Sequence, residues 1–91
     1  IALPGGCGTL EELFFVLTRK RLGLASRPLI IVNIRNYFDP VLAMLERSIH
    51  ERFMDARHAD MWQVVSSVEQ VLPAIANAPD WTKDAVEFAV P

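Results

Sequence analysis

Glu12, Thr9 and Cys7 are the chemically equipped side chains of one short segment, Pro4-Gly5-Gly6-Cys7-Gly8-Thr9-Leu10-Glu11-Glu12, which holds three of the four glycines in the 91-residue chain. A carboxylate can stabilise developing positive charge or activate a water. A strand that feeds a Gly-rich turn and then a helix brings unpaired backbone N–H groups toward one point, and glycine removes the Cβ atoms from it. The spacing is neither the dinucleotide fingerprint G-x-G-x-x-G nor a P-loop, since no G-K-[ST] follows. By shape alone the cluster fits an anion cradle or a tight strand-to-helix turn. Thr9 and Glu12 also have two readings, because Thr9 as an N-cap with Glu12 three residues on is a capping box. Cys7 would be an acidified thiol if it sat at a helix N-terminus, although a small residue tolerated in a loop accounts for it as well.

The elements that must position these side chains follow from the hydrophobic spacing. Residues 1–3 read as the end of a buried strand. Leu10, Leu13, Phe14, Val16, Leu17 and Leu22 recur at helical intervals over residues 9–22, with Arg19, Lys20 and Arg21 in the last turn and Gly23 as the stop. The run Leu29-Ile30-Ile31-Val32-Asn33-Ile34 suits a strand buried on both faces. Asp39 then caps, and Pro40 opens, a helix through about residue 53, with Val41, Leu42, Leu45, Ile49 and Phe53 on its inner stripe. A loop carrying His58 leads to a third strand over residues 61–65. Ser66, Ser67, Glu69 and Gln70 supply overlapping capping boxes for a helix to about residue 77, in which Pro73 requires a kink or a late start. Residues 78–91 form a tail, read either as a short docked helix or as a frayed end.

The order β-α-β-α-β-α is that of an α/β fold with a Rossmann-like parallel sheet and flanking helices. The length allows one modest core. The chain enters on an apolar strand in mid-fold, so residues 1–77 are expected to be the C-terminal portion of a longer domain.

Composition narrows the function. The chain is 52% hydrophobic and 22% charged, with a net charge of −2, which provides no field for a polyanion and disfavours nucleic acid as a partner. No apolar run approaches the roughly 18 residues of a membrane span. A single cysteine excludes an intrachain disulfide and fits a reducing, cytoplasmic setting. His50 and His58 form no H-x-x-x-H or H-E-x-x-H pair, and with Glu46, Glu51 and Asp55 they read as solvated polar residues, so no metal is expected.

The segment 4–12 matches the P-G-G-x-G-T-x-x-E signature and thereby resembles the Lonely Guy family, whose members are often labelled lysine decarboxylases. The likeness extends over residues 1–77 through the motif helix, the basic Gly-containing turn, the strand led by Pro28, and Asn36-Tyr37-Phe38-Asp39 before the next helix. The resemblance implies a hydrolase acting on the N-glycosidic bond of nucleoside 5′-monophosphates, cytokinin ribotides or AMP-like nucleotides, with release of free base and ribose 5-phosphate. It implies that Gly5, Gly6, Gly8 and Thr9 hold the 5′-phosphate and that Glu12 is the catalytic carboxylate. It further implies no cofactor, a homodimer formed through helices, and an upstream arginine, without which the isolated chain is inactive or impaired. A noncatalytic phosphate-binding or dimerising remnant is the alternative. The decarboxylase label itself is rejected, because a pyridoxal-phosphate enzyme needs a lysine placed for a Schiff base, and neither Lys20 nor Lys83 has the context of a pocket.

Overall fold

β1 (Ile30–Val32) is flanked on both sides by parallel neighbours in a computed structural model that describes residues 1–89. On one side lies β2 (Gln63–Val65), with Ile30 opposite Gln63, Ile31 opposite Val64 and Val32 opposite Val65. On the other side Ala2 forms a parallel bridge to Ile31, closed by Ala2 N–H to Ile30 O at 2.8 Å and Val32 N–H to Ala2 O at 2.9 Å.

The continuous apolar run of β1 is explained by what covers it. Ile31 points into a cluster with Leu13 and Leu17 of α1 (Cys7–Arg21) and Leu45 of α2 (Asp39–His50), while Ile30 and Val32 pack on Val71 of α3 (Val71–Asn77). Alternate residues of one strand therefore serve two apolar layers. The result is a mixed α/β arrangement, a small parallel sheet with helices on both faces. Among the described residues, no helix is long and apolar enough to cross a membrane.

Several boundaries differ from those the sequence suggests, each for a local reason. α1 starts at Cys7, with Gly6 as N-cap, and Thr9 is its third residue rather than its cap. The C-terminus of α1 ends on Gly23 as expected. Gly23 has a φ of 77° and a Schellman pair, Leu24 N–H to Arg19 O at 2.8 Å and Gly23 N–H to Lys20 O at 3.0 Å. The strand expected over 29–34 shortens to Ile30–Val32, because Ile34 enters a 3₁₀ turn, Ile34–Asn36.

In α2, Asp39 and Pro40 are the first and second helical residues and Phe38 is the N-cap, one position earlier than expected. Its inner stripe stops short of Phe53, which is 64% exposed. A left-handed Arg52 at φ 67° turns the chain off the helix, and Met54 packs on the core instead. Met61 and Trp62 precede β2 rather than opening it, since residues 56–61 wind into a 3₁₀ turn, Ala56–Met61. Before α3, Gln70 Oε1 accepts from Ser66 N–H at 2.8 Å and Ser67 N–H at 3.3 Å. Pro73 falls at the third residue of α3, where an N–H would have no intrahelical partner, so the late start removes the need for a kink.

Beyond residue 77 a 3₁₀ segment, Lys83–Phe88, lies against α1, with Trp81 and Ala85 buried. Residues 90 and 91 of the tail lie outside the described residues.

Candidate functional site

The glycine segment connects the Ala2 bridge to α1, so it emerges at the end of the sheet toward which the parallel strands run. The helical ladder opens with Leu10 N–H to Gly6 O at 3.1 Å, so the N–H groups of Cys7, Gly8 and Thr9 precede it. Among the described residues no side chain caps this end, and the first turn carries no acidic residue. Thr9 and Glu12 therefore do not form the capping box that their spacing allowed.

The three glycines have different physical reasons to be glycine. A Cβ on Gly5 would stand 2.2 Å from Thr9 Oγ1, so the Thr9 side chain folds against the Gly5 backbone and requires a glycine there. A Cβ on Gly6 or Gly8 would meet nothing within 4 Å. Gly8 lies inside α1, where glycine costs about 1 kcal/mol relative to alanine. Packing supplies no reason for that cost.

Glu12 is exposed and lines a cleft of about 160 Å³ with Thr9, Leu13 and Val16 of α1 and with Ile1, Ala2 and Leu29 at the sheet edge. Thr9 and Glu12 are three residues apart on one helix face, about 4.5 Å along its axis. A carboxylate is thus available within a helical turn of the unpaired N–H groups. A wider depression of about 510 Å³ continues from Ile1, Val16 and Leu29 toward Arg19 and residues 24–28. Cys7, the first residue of α1, is an exposed free thiol.

A third element reaches the segment from the loop that follows β1. The Tyr37 hydroxyl donates to the Gly5 carbonyl. That loop is tied down by Asn33, whose Oδ1 accepts the Phe38 N–H at 2.7 Å and whose Nδ2 donates to Asp39 Oδ1 at 2.7 Å. Arg35 and Asn36 are consecutive left-handed residues, at φ 54° and 61°, a conformation that costs about 1 kcal/mol or more for most L-residues. Phe38 beside Tyr37 is fully buried and meets its ring edge-on at 5.2 Å. The sequence marked 36–39 only as a flank of the motif; the contact of Tyr37 joins residues 32 apart, which spacing alone does not disclose.

The opposite end of α1 is filled by the protein's own groups. Lys20, expected as a helix-end charge, is 2% exposed, and its Nζ donates to Met61 O at 2.7 Å and Arg27 O at 2.9 Å. Burial lowers its pKa. With its ammonium so engaged, it is not placed for a Schiff base. The Trp81 indole donates to Lys20 O at 2.5 Å.

His58 is not the solvated residue expected. It is fully buried, and its Nδ1 accepts the Asp55 N–H at 2.9 Å. Its Nε2 is buried without a hydrogen-bond partner among the described residues. The ring packs near Phe88 and Trp81, with centroids at 5.3 and 6.2 Å. Burial pushes its pKa down, against an opposing pull from Asp55. Asp55 is itself held well below the carboxylate range by its hydrogen bonds from Arg57, whose guanidinium lies 3.8 Å over the Phe88 ring. Among the described residues, no group of three or more His, Cys, Asp or Glu side chains gathers as metal ligands would.

A family model described as Possible lysine decarboxylase matches residues 1–75, the whole of the glycine segment, β1, α2 and β2. The chain belongs to this family, the Lonely Guy family of the motif. It is 31% identical over 96 residues to cytokinin riboside 5′-monophosphate phosphoribohydrolase LOG1 of Arabidopsis thaliana, which covers 94% of this chain and 45% of that protein. It is 39% identical over 77 residues to the cytokinin riboside 5′-monophosphate phosphoribohydrolase of Rhodococcoides fascians, covering 85% of this chain and 39% of the relative. With the Oryza sativa subsp. japonica phosphoribohydrolase LOG it shares 44% identity over 59 residues, or 63% of this chain and 24% of the relative. The chain thus spans less than half the length of these relatives.

Proposed function

We propose that the protein carrying this chain hydrolyses the N-glycosidic bond of nucleoside 5′-monophosphates, of the cytokinin ribotide or AMP type, to free base and ribose 5-phosphate. The observation that carries the reading is Gly8, a helical glycine whose absent side chain leaves open space rather than relieving a clash. A phosphate seated on the N–H groups at the start of α1 uses that space, and the helix dipole favours its charge. Gly5, Gly6, Gly8 and Thr9 form the cradle, and Glu12 faces the ribose. Cleavage of the ribosyl C–N bond develops positive charge on the sugar, which the Glu12 carboxylate stabilises while orienting water. Binding energy at the unreactive phosphate holds C1′ in register with that carboxylate. The relatives named as phosphoribohydrolases support the same chemistry.

The assembly we propose is a homodimer formed through α1 and α2. Phe14, Met44 and Phe53 line an apolar groove of about 340 Å³ between those helices, and Phe15, the next residue of α1, is 62% exposed. The lone, exposed Cys7 fits a reducing cytoplasmic setting. One observation favours a narrower second reading, a phosphate-binding or dimerising unit without catalysis. The Glu12 cleft, at about 160 Å³, is smaller than the roughly 300–1,000 Å³ usual for small-molecule sites.

Incubating the intact protein with AMP and with a cytokinin riboside monophosphate, and measuring free base, tests the proposal. Release of base and ribose 5-phosphate is expected. No base from either nucleotide would overturn the enzyme in favour of the binding unit, and undiminished release by Glu12→Ala would remove Glu12 from its role.

A further inference from the structure

We infer that Tyr37 is a positioning residue for the phosphate cradle: by holding the Gly5 carbonyl, its hydroxyl aims the Gly6 N–H at the bound anion. The inference rests on the phosphate-binding role proposed for the glycine segment.

The peptide joining Gly5 to Gly6 is planar and trans, so its C=O and N–H point in opposite directions. Neither flanking residue has a Cβ, which makes this the peptide of the segment most free to flip. Gly6 is the N-cap of α1, so the orientation of this peptide decides whether its N–H joins the unpaired donors of the helix or turns away from them. The Tyr37 hydroxyl bonds the Gly5 carbonyl and selects one of the two orientations. Thr9 packs against Gly5 from below, so the segment is gripped by α1 and by the loop after β1.

The placement of Tyr37 is not that of an incidental surface tyrosine. Tyr37 is 50% exposed and contributes little to the core, yet the loop that carries it is anchored on both sides. Asn33 bonds both the Phe38 N–H and Asp39, and Phe38 is anchored in the core. The left-handed pair Arg35 and Asn36 turns the chain back so that residue 37 faces the glycine segment. Backbone strain of this kind persists only where the surroundings over-determine it. Preorganised donors bind an anion without first reorienting, which is the advantage of fixing this peptide.

The test is Tyr37→Phe in the intact protein, which keeps the ring and removes the hydroxyl. Inorganic phosphate binding is measured by calorimetry, AMP hydrolysis by base release, and folding by thermal melting without phosphate. The phosphate dissociation constant is expected to rise about five- to tenfold, the worth of one net hydrogen bond. KM for AMP should rise by a similar factor while kcat changes less than about twofold, and the melting temperature should fall by no more than a few degrees. An unchanged phosphate dissociation constant would overturn the role of Tyr37, even where AMP is hydrolysed normally. A lowered melting temperature with phosphate affinity intact would overturn it in favour of a purely structural tyrosine. If the wild type binds phosphate but releases no base, and Tyr37→Phe still weakens binding, the hydrolase reading fails and the positioning role stands. If the wild type binds no phosphate, both fall.

Discussion

The two ends of α1 are built on opposite principles. At the C-terminal end the protein supplies the partners: Gly23 and Leu24 close the helix with one hydrogen bond each, the Trp81 indole donates to the Lys20 carbonyl, and the Lys20 ammonium donates to two further carbonyls. At the N-terminal end no side chain among the described residues caps the helix, and two of three glycines face empty space. A fold that satisfies one terminus so thoroughly has the means to satisfy the other. The N-terminal donors left over are the ones that the proposed phosphate would take.

Substitutions should separate these ends, with function moving at one and stability at the other. The largest effect is expected from Glu12→Gln, which should lower the rate of base release by the intact protein about a thousandfold with no change in melting temperature. A rate within a few-fold of wild type would show that the open end is not where the chemistry occurs. Next, Lys20→Met leaves the Met61 and Arg27 carbonyls without their donor and should cost about 2–4 kcal/mol in chemical denaturation. Phosphate affinity, measured by calorimetry on the folded variant, should be unaltered.

The glycines give a paired test of smaller size. Gly23→Ala forces an L-residue into φ 77° and places its Cβ 2.3 Å from the Lys83 carbonyl oxygen, so a loss of about 2 kcal/mol is expected. Gly8→Ala should do the reverse, leaving stability unchanged or raising it by about 1 kcal/mol while weakening phosphate binding. A stabilised Gly8→Ala variant with full phosphate affinity would break the contrast between the ends.

The smallest effect is a pH dependence confined to the packed end. His58 has its folded pKa depressed below 6.5 by burial. Below that value the unfolded chain binds a proton that the folded chain resists, so stability is present at neutral pH and is lost as the pH falls through the depressed folded value. Melting curves between about pH 7.5 and pH 5 should fall less steeply for His58→Phe than for wild type. Equal slopes would mean that the buried imidazole does not couple to folding.

Much of this organisation was legible in the chain. The apolar run around Ile31 announced a strand covered on both faces, because alternation disappears when both faces are buried. Gly23 after three basic residues announced the end of α1. The glycine segment and Glu12 were legible as a motif because they are contiguous, and local order preserves their spacing. Other boundaries escaped because rival local signals were equally good. Thr9 is a sound cap by type, yet the N-cap is Gly6, three positions earlier, and Thr9 packs against Gly5 instead of capping. Phe53 fits the stripe of α2, yet a left-handed Arg52 removes it from the helix.

By itself the sequence determined which segment carries the family motif and the order of strands and helices around it, because both depend on neighbours in the chain. Only the tertiary structure decided that Lys20 and His58 are buried, that Glu12 opens onto the cleft rather than turning back on its own helix, and that Tyr37 reaches Gly5. Those outcomes depend on contacts between residues far apart in sequence, and such contacts exist only once β1 has brought the helices and loops to the two faces and the end of one sheet.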